Sequence, residues 1–171
     1  MRSFFNFFLK SNDGFTIIEL VIVFSVIAIL SSVGIAASIN YSRAQTLQTA
    51  SLDLINTLNQ AKSYAQSQYK PDDCNTQDLK YYRFDLVDSG EDPYYVLSVF
   101  CGANSYELLN NKLPKDVDID SANTTSNYFE FPILKGGIEA DPDSPSPWQI
   151  RLISVDGRYK IISVYSSGII Q

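Results

Sequence analysis

Between Phe15 and Ile39 the chain reads FTIIELVIVFSVIAILSSVGIAASI, 25 residues whose only charge is Glu19. At about 1.5 Å of rise per residue, a helix of this length reaches roughly 37 Å, more than the roughly 30 Å hydrocarbon layer of a bilayer. This segment can cross a membrane. Glu19 is the exception within it, because a carboxylate held in a bilayer costs on the order of 2.5–3.5 kcal/mol and calls for a partner. Ahead of it the nearest cation is Arg43, about 36 Å further along a helix. The neutralising charge has to come from outside the segment.

The residues before this run complete a pattern. A short polar leader (MRSFFNFFLKSND) ends on Gly14, followed by Phe15, Thr16, two aliphatics, Glu19, Leu20 and the unbroken apolar stretch. This arrangement resembles the class III signal and first helix of type IV pilins and pseudopilins, over about the first 55 to 60 residues. The resemblance implies that a membrane prepilin peptidase cuts between Gly14 and Phe15 and methylates the new amine of Phe15. Glu19 then pairs with the N-terminal amine of Phe15 in a neighbouring subunit. Further partners implied are other pilin or pseudopilin subunits, the cytoplasmic membrane and its assembly machinery. The leader is expected in the cytoplasm and the head outside it, and Arg2 and Lys10 before the span agree with that orientation. Asp13, beside the glycine, is a departure from the family pattern. The competing reading, a secretory signal cut after Ala36-Ala37-Ser38, meets an apolar run much longer than the 7–15 residues typical of such signals.

Past Ile39 the pattern becomes amphipathic. Ala44, Leu47, Ser51, Leu54, Leu58, Ala61 and Ala65 step by three and four, with Ile55 beside them, and predict a buried helical face. The opposite face carries Arg43, Gln48, Asp53, Asn56, Asn59, Gln60 and Lys62. One helix is expected from Phe15 to about Tyr69, stopped by Pro71. Ser31, Ser32 and Gly34 are its weakest helical stretch.

From Lys80 the period switches to two. Lys80–Val87 and Tyr94–Cys101 predict a hairpin, and shorter strands are expected at 106–109, 117–119 and 128–134, with Pro132 at an edge or strand end. An acidic loop with three prolines spans 139–147. Trp148–Val155 and Arg158–Tyr165 flank Asp156-Gly157, which predicts a type I′ hairpin, and Ile169-Ile170 forms a last short strand. The fold class expected is α+β, a long N-terminal helix packed against an antiparallel β-sheet head. Its divisions are 1–14 leader, 15–39 membrane or filament-core helix, 40–70 amphipathic helix and 71–171 β-rich head. The closing pattern around Asp156-Gly157-Arg158 and Gly168-Ile169 resembles GspH/FimT-like minor subunits. That resemblance implies a minor subunit of a type IV pilus or a type II secretion-like filament.

Several kinds of chemistry are excluded or weakened. The chain has no histidine, which removes His-based triads, His zinc sites and His general bases. No cofactor and no catalytic residue is expected. Net charge is −6, and loss of residues 1–14 leaves 11 basic against 18 acidic residues, which disfavours nucleic acid as a partner. Gly157-Arg158-Tyr159-Lys160 is nonetheless similar to a basic motif of FimT-like subunits that assist DNA uptake. Arg158 and Lys160 are therefore candidate DNA contacts, and a filament-tip binding module for DNA or surfaces is the alternative reading. The competing view of these two residues is an ordinary hairpin end. Asp116, Asp118 and Asp120 share one face of a strand, and Asp141 and Asp143 sit in the proline loop; both groups are read as solvated acids rather than calcium sites. Tyr81, Tyr82, Tyr94 and Tyr95 are expected to pair across facing strands. Cys74 and Cys101 either form a disulfide, if the head is exported, or stand as two buried thiols.

Overall fold

The computed structural model describes residues 16–74, 77–90, 92–144 and 146–171, with only the backbone described at 32–34, 36 and 37. Gly14 and Phe15, and with them the leader, lie outside the described residues. The chain divides into two units, one ending at Tyr41 and the other comprising Ser42–Gln171.

Helix α1 is assigned over Ile17–Ser67, and its backbone is helical without a break through Ser31 to Gly34. It starts on a recognisable cap: the Thr16 hydroxyl accepts from the Glu19 N–H at 3.3 Å, and the Thr16 carbonyl accepts from the Leu20 N–H at 3.2 Å. Thr-x-x-Glu is the capping-box sequence, in which the threonine satisfies an N–H left unpaired by the first turn. The far end departs from expectation. The helix stops at Ser67, because Gln68 takes a left-handed φ of 54° and the Tyr69 N–H reaches back to the Tyr64 carbonyl at 3.0 Å. Such a cap usually carries glycine, and an apolar contact across it is the usual companion. Here the Tyr64 and Tyr69 rings supply that contact, 4.8 Å apart. Pro71 lies beyond the stop and does not cause it.

Among the described residues of the second unit eight strands form two antiparallel sheets, where one sheet was expected. The first contains β1 (Leu79–Val87), β2 (Tyr94–Cys101), β3 (Asn104–Lys112), β5 (Tyr128–Pro132) and β6 (Glu139–Ala140), in the order β3-β2-β1-β5-β6. The second contains β4 (Val117–Ile119), β7 (Trp148–Ser154) and β8 (Tyr159–Val164), in the order β4-β7-β8. The β1–β2 hairpin has the expected register, closing on Val87 opposite Tyr94. Ile169-Ile170 makes only an isolated bridge, Ile170 to Val164.

Both sheets and α1 share one core. Leu47, Leu54, Leu58, Ala61 and Ala65 are buried as the stripe predicts, joined by Ala50 and Thr57. Onto them pack Tyr82, Phe84, Leu97, Val99, Phe129 and Phe131 from the larger sheet, and Ile150, Leu152, Ile162 and Val164 from the smaller. The alternation of buried and partly exposed residues along β1, β5 and β7 follows the pleat of a half-covered sheet. Lys62, expected on the solvent face, is half-buried and donates from Nζ to the Gly168 carbonyl at 2.7 Å. A Cβ at Gly168 would approach the Gly136 carbonyl to 2.8 Å, so this turn admits no side chain.

Candidate functional site

The first candidate site is the first part of α1. Every side chain from Thr16 to Ser31 is exposed, including Ile17 at 86% and Leu30 at 68%. Burying aliphatic or aromatic side chains of this size is worth about 1.5–3 kcal/mol each. Left in water, the segment forgoes on the order of 20 kcal/mol. Ser25, one of the few polar groups in it, turns its hydroxyl back onto the Ile22 carbonyl at 2.8 Å and so needs no outside partner. Glu19 is exposed and sits in the first helical turn, where the unpaired N–H groups favour a carboxylate. The Thr16-Ile17-Ile18-Glu19 spacing is that of a capping box, of which the Thr16 half is formed.

Among the described residues no helix is long and apolar enough to cross a membrane. The uninterrupted described stretch, Thr16 to Ser31, covers about 24 Å of helix axis, short of the roughly 30 Å layer. The remainder of the apolar run passes through 32–34, 36 and 37, whose side chains are outside the described residues.

The second candidate is the β7–β8 hairpin. Its loop is three residues long, closed by the Gly157 N–H to the Ser154 carbonyl at 2.8 Å and the Ser154 N–H to the Arg158 carbonyl at 2.7 Å. Gly157 has a φ of +83° and Asp156 does not share the left-handed conformation, so the predicted type I′ turn is replaced by a longer loop with one glycine-dependent position. Asp156 keeps a negative φ while its carboxylate folds onto Arg158, accepting from the backbone N–H at 3.2 Å and from Nε at 2.8 Å, with Nη2 also in contact. That hydrogen bonding holds the Asp156 carboxyl down at about 2 and raises Arg158 above its ordinary value. Arg158 is therefore committed to its own turn. Lys160 is exposed and forms no ion pair among the described residues. Arg151 lies over the Tyr159 ring at 4.0 Å, and its Nε is 3.3 Å from Asp120, an ion pair whose geometry makes no hydrogen bond.

Cys74 and Cys101 are joined, their Cα atoms 5.7 Å apart and both residues fully buried. The link ties the segment after α1 to the end of β2. The same region is gripped by Tyr82, whose hydroxyl donates to the Tyr69 carbonyl and whose burial pushes its pKa up to about 12. The aromatic pairing expected across the facing strands is present for Tyr81 and Tyr95, each with a phenylalanine as its partner. Tyr81 stacks on Phe100 and Tyr95 on Phe84, because the register sets Tyr81 opposite Phe100, and Leu86 and Val87 opposite the Tyr95-Tyr94 pair. Among the described residues no group of carboxylates or thiols is placed to hold a metal ion. Asp118 accepts from the Ile119 N–H and Asp141 from the Asp143 N–H, both local turn contacts.

Residues 9–35 match the family described as the prokaryotic N-terminal methylation motif. The matched stretch contains Gly14, Phe15, Thr16 and Glu19 and ends just short of the head. It supports a protein of the type IV pilin family. A pilin-type leader implies processing by a prepilin peptidase, membrane anchoring and assembly with other pilins, and points to a structural rather than a catalytic protein. The search of characterised proteins and the search of solved structures each returned no match.

Proposed function

We propose that this chain is a pilin or pseudopilin subunit, of the minor class, that works by assembly and not by turnover. It is made as a precursor, cut between Gly14 and Phe15 and methylated at Phe15. Phe15–Ile39 anchors it in the cytoplasmic membrane with the head outside. It is then drawn into a type IV pilus or type II secretion-like filament, where the apolar helix exchanges lipid for the helices of other subunits. The observation that carries this reading is the bare apolar stretch of residues 16–31, in a chain whose head closes its core without it. Such a segment is stable only in lipid or among its own kind.

Glu19 has a specific part in this scheme. As subunits add, its carboxylate neutralises the amine of a neighbouring Phe15, a pairing stronger in an apolar surrounding than in water. The minor-subunit assignment rests on the Asp156-Gly157-Arg158 and Gly168-Ile169 pattern. The DNA-capture alternative gains no supporting observation, since Arg158 is bound to Asp156. The test is a pair of variants in cells that make the filament. Glu19→Ala should be cleaved normally yet be missing from sheared filaments, and Gly14→Val should remain uncut. Normal incorporation of Glu19→Ala overturns the pairing.

A further inference from the structure

We propose that the β7–β8 hairpin tip and the adjoining face of α1 form a seat for anionic phospholipid headgroups. This rests on the reading of Phe15–Ile39 as a membrane span. The seat is a groove of about 390 Å³ within the second unit, lined by Ala44 and Leu47 of α1 and by Gly157, Arg158, Tyr159 and Lys160 of the hairpin. Ala44 follows Ile39 by five residues, about 7.5 Å of helix rise. Whatever way the head is turned, five residues of chain keep the groove that Ala44 lines within reach of the headgroup layer at the end of the span.

The chemistry of the tip fits that depth. Val155 is 65% exposed and Tyr159 53%, an aliphatic side chain and an aromatic one with a single ring face under the Arg151 guanidinium. Lys160 lies opposite Leu152 in the register and so belongs to the sheet face turned toward α1, yet it is exposed. A lysine so placed runs its stem along the apolar groove and brings its ammonium to the rim. Arg43, expected on the solvent face, is instead half-buried; four residues before Leu47, it stands one turn nearer the apolar run, beside the groove and not in its lining. The acids nearest the tip are Asp156, which is bound to Arg158, and Asp116 and Asp118 of the β4 side, whose exposed carboxylates lie next to Val155 and across Ile153 from Tyr159. Basic and aromatic groups around apolar surface at the end of a span are what a headgroup layer selects. A nucleic acid is the poorer fit, because two or three cations on a chain of net charge −6 bind a polyphosphate weakly and the groove itself is apolar.

The backbone supplies its own reporters. β8 is the last strand of its sheet, and its outward N–H groups at Ser163 and Tyr165 are taken by Gln171 and Ile169. Among the described residues no strand pairs with that edge at Tyr159 and Ile161. Their amides should exchange with solvent quickly unless something covers them.

The experiment is amide hydrogen exchange on the full chain in nanodiscs of phosphatidylcholine alone and of phosphatidylcholine with phosphatidylglycerol. Residues 155–162 are expected to exchange more slowly in the anionic discs. Lys160→Gln and Arg43→Gln should each remove about fivefold of that protection, with the buried strand β1 unchanged. Equal exchange at 155–162 in both lipids overturns the proposal. So does protection by short duplex DNA in neutral discs without protection by the anionic lipid. If residues 17–31 are themselves unprotected in both discs, it is the membrane reading that fails, and the headgroup seat falls with it.

Discussion

Residues 17–31 and residues 47–65 are both helical and both rich in aliphatic side chains, yet they answer to different surroundings. In the first stretch the apolar residues go all the way round, and none is covered. In the second they form one stripe, and Leu54, Leu58 and Ala61 are fully buried against two sheets. A helix that is apolar all round asks for an apolar medium, whereas a striped one asks for a single partner. Among the described residues there is a partner for the second stretch and none for the first. The missing cover is the physical reason to look to lipid and to other subunits.

The sharpest way to break that contrast is to truncate one residue in each stretch. Leu58→Ala should destabilise the head by about 2–5 kcal/mol, read as a lower midpoint in thermal unfolding followed by near-UV circular dichroism. Ile27→Ala should leave that midpoint where it is. Equal losses would mean that the first stretch is part of the head's core.

The second prediction loosens the end of the striped helix. Cys101→Ser, or reduction of the Cys74–Cys101 link under unfolding conditions, should cost about 3 kcal/mol for a loop of this length on the chain-entropy account. Unfolding in urea with and without reductant measures it. Tyr82→Phe removes only the hydroxyl that holds the Tyr69 carbonyl and should cost about 0.5–1.5 kcal/mol. Neither change should affect leader cleavage, which concerns the other stretch.

Much of this was readable before the fold was known, and the exceptions have physical causes. The stripe on α1, the β1–β2 register and the Val117–Ile119 strand follow from local period alone. The stop at Gln68 did not, because a glutamine in the left-handed conformation carries no sequence signal and the tyrosine contact across it depends on the folded cap. The division into two sheets is set by β4 choosing β7, more than thirty residues away in sequence, a pairing that no short window reveals. Lys62 looked like a solvated lysine because its acceptor, the Gly168 carbonyl, is 106 residues distant. At the hairpin, Asp-Gly correctly marked a turn, but the carboxylate's grip on Arg158 belongs to a loop one residue longer than the one expected. The pair of residues that looked like a DNA contact is thereby split, one committed and one exposed.

The smallest expected effect concerns that grip. The Asp156 carboxyl is held below its unfolded value by Arg158, so its contribution to the hairpin is present above the ordinary carboxylate range and is lost as pH falls through about 2. A carbon-detected NMR titration should show this low midpoint. Arg158→Gln should return it to the ordinary carboxylate range, with no change in the melting of the core.

The most direct measurement of the account is the intact mass and N-terminal sequence of the protein recovered from cells that contain the prepilin peptidase. The account predicts a chain that begins at Phe15, lacks residues 1–14 and carries one added methyl group. Recovery of chains that still begin at Met1, while being fully incorporated into filaments, would contradict it.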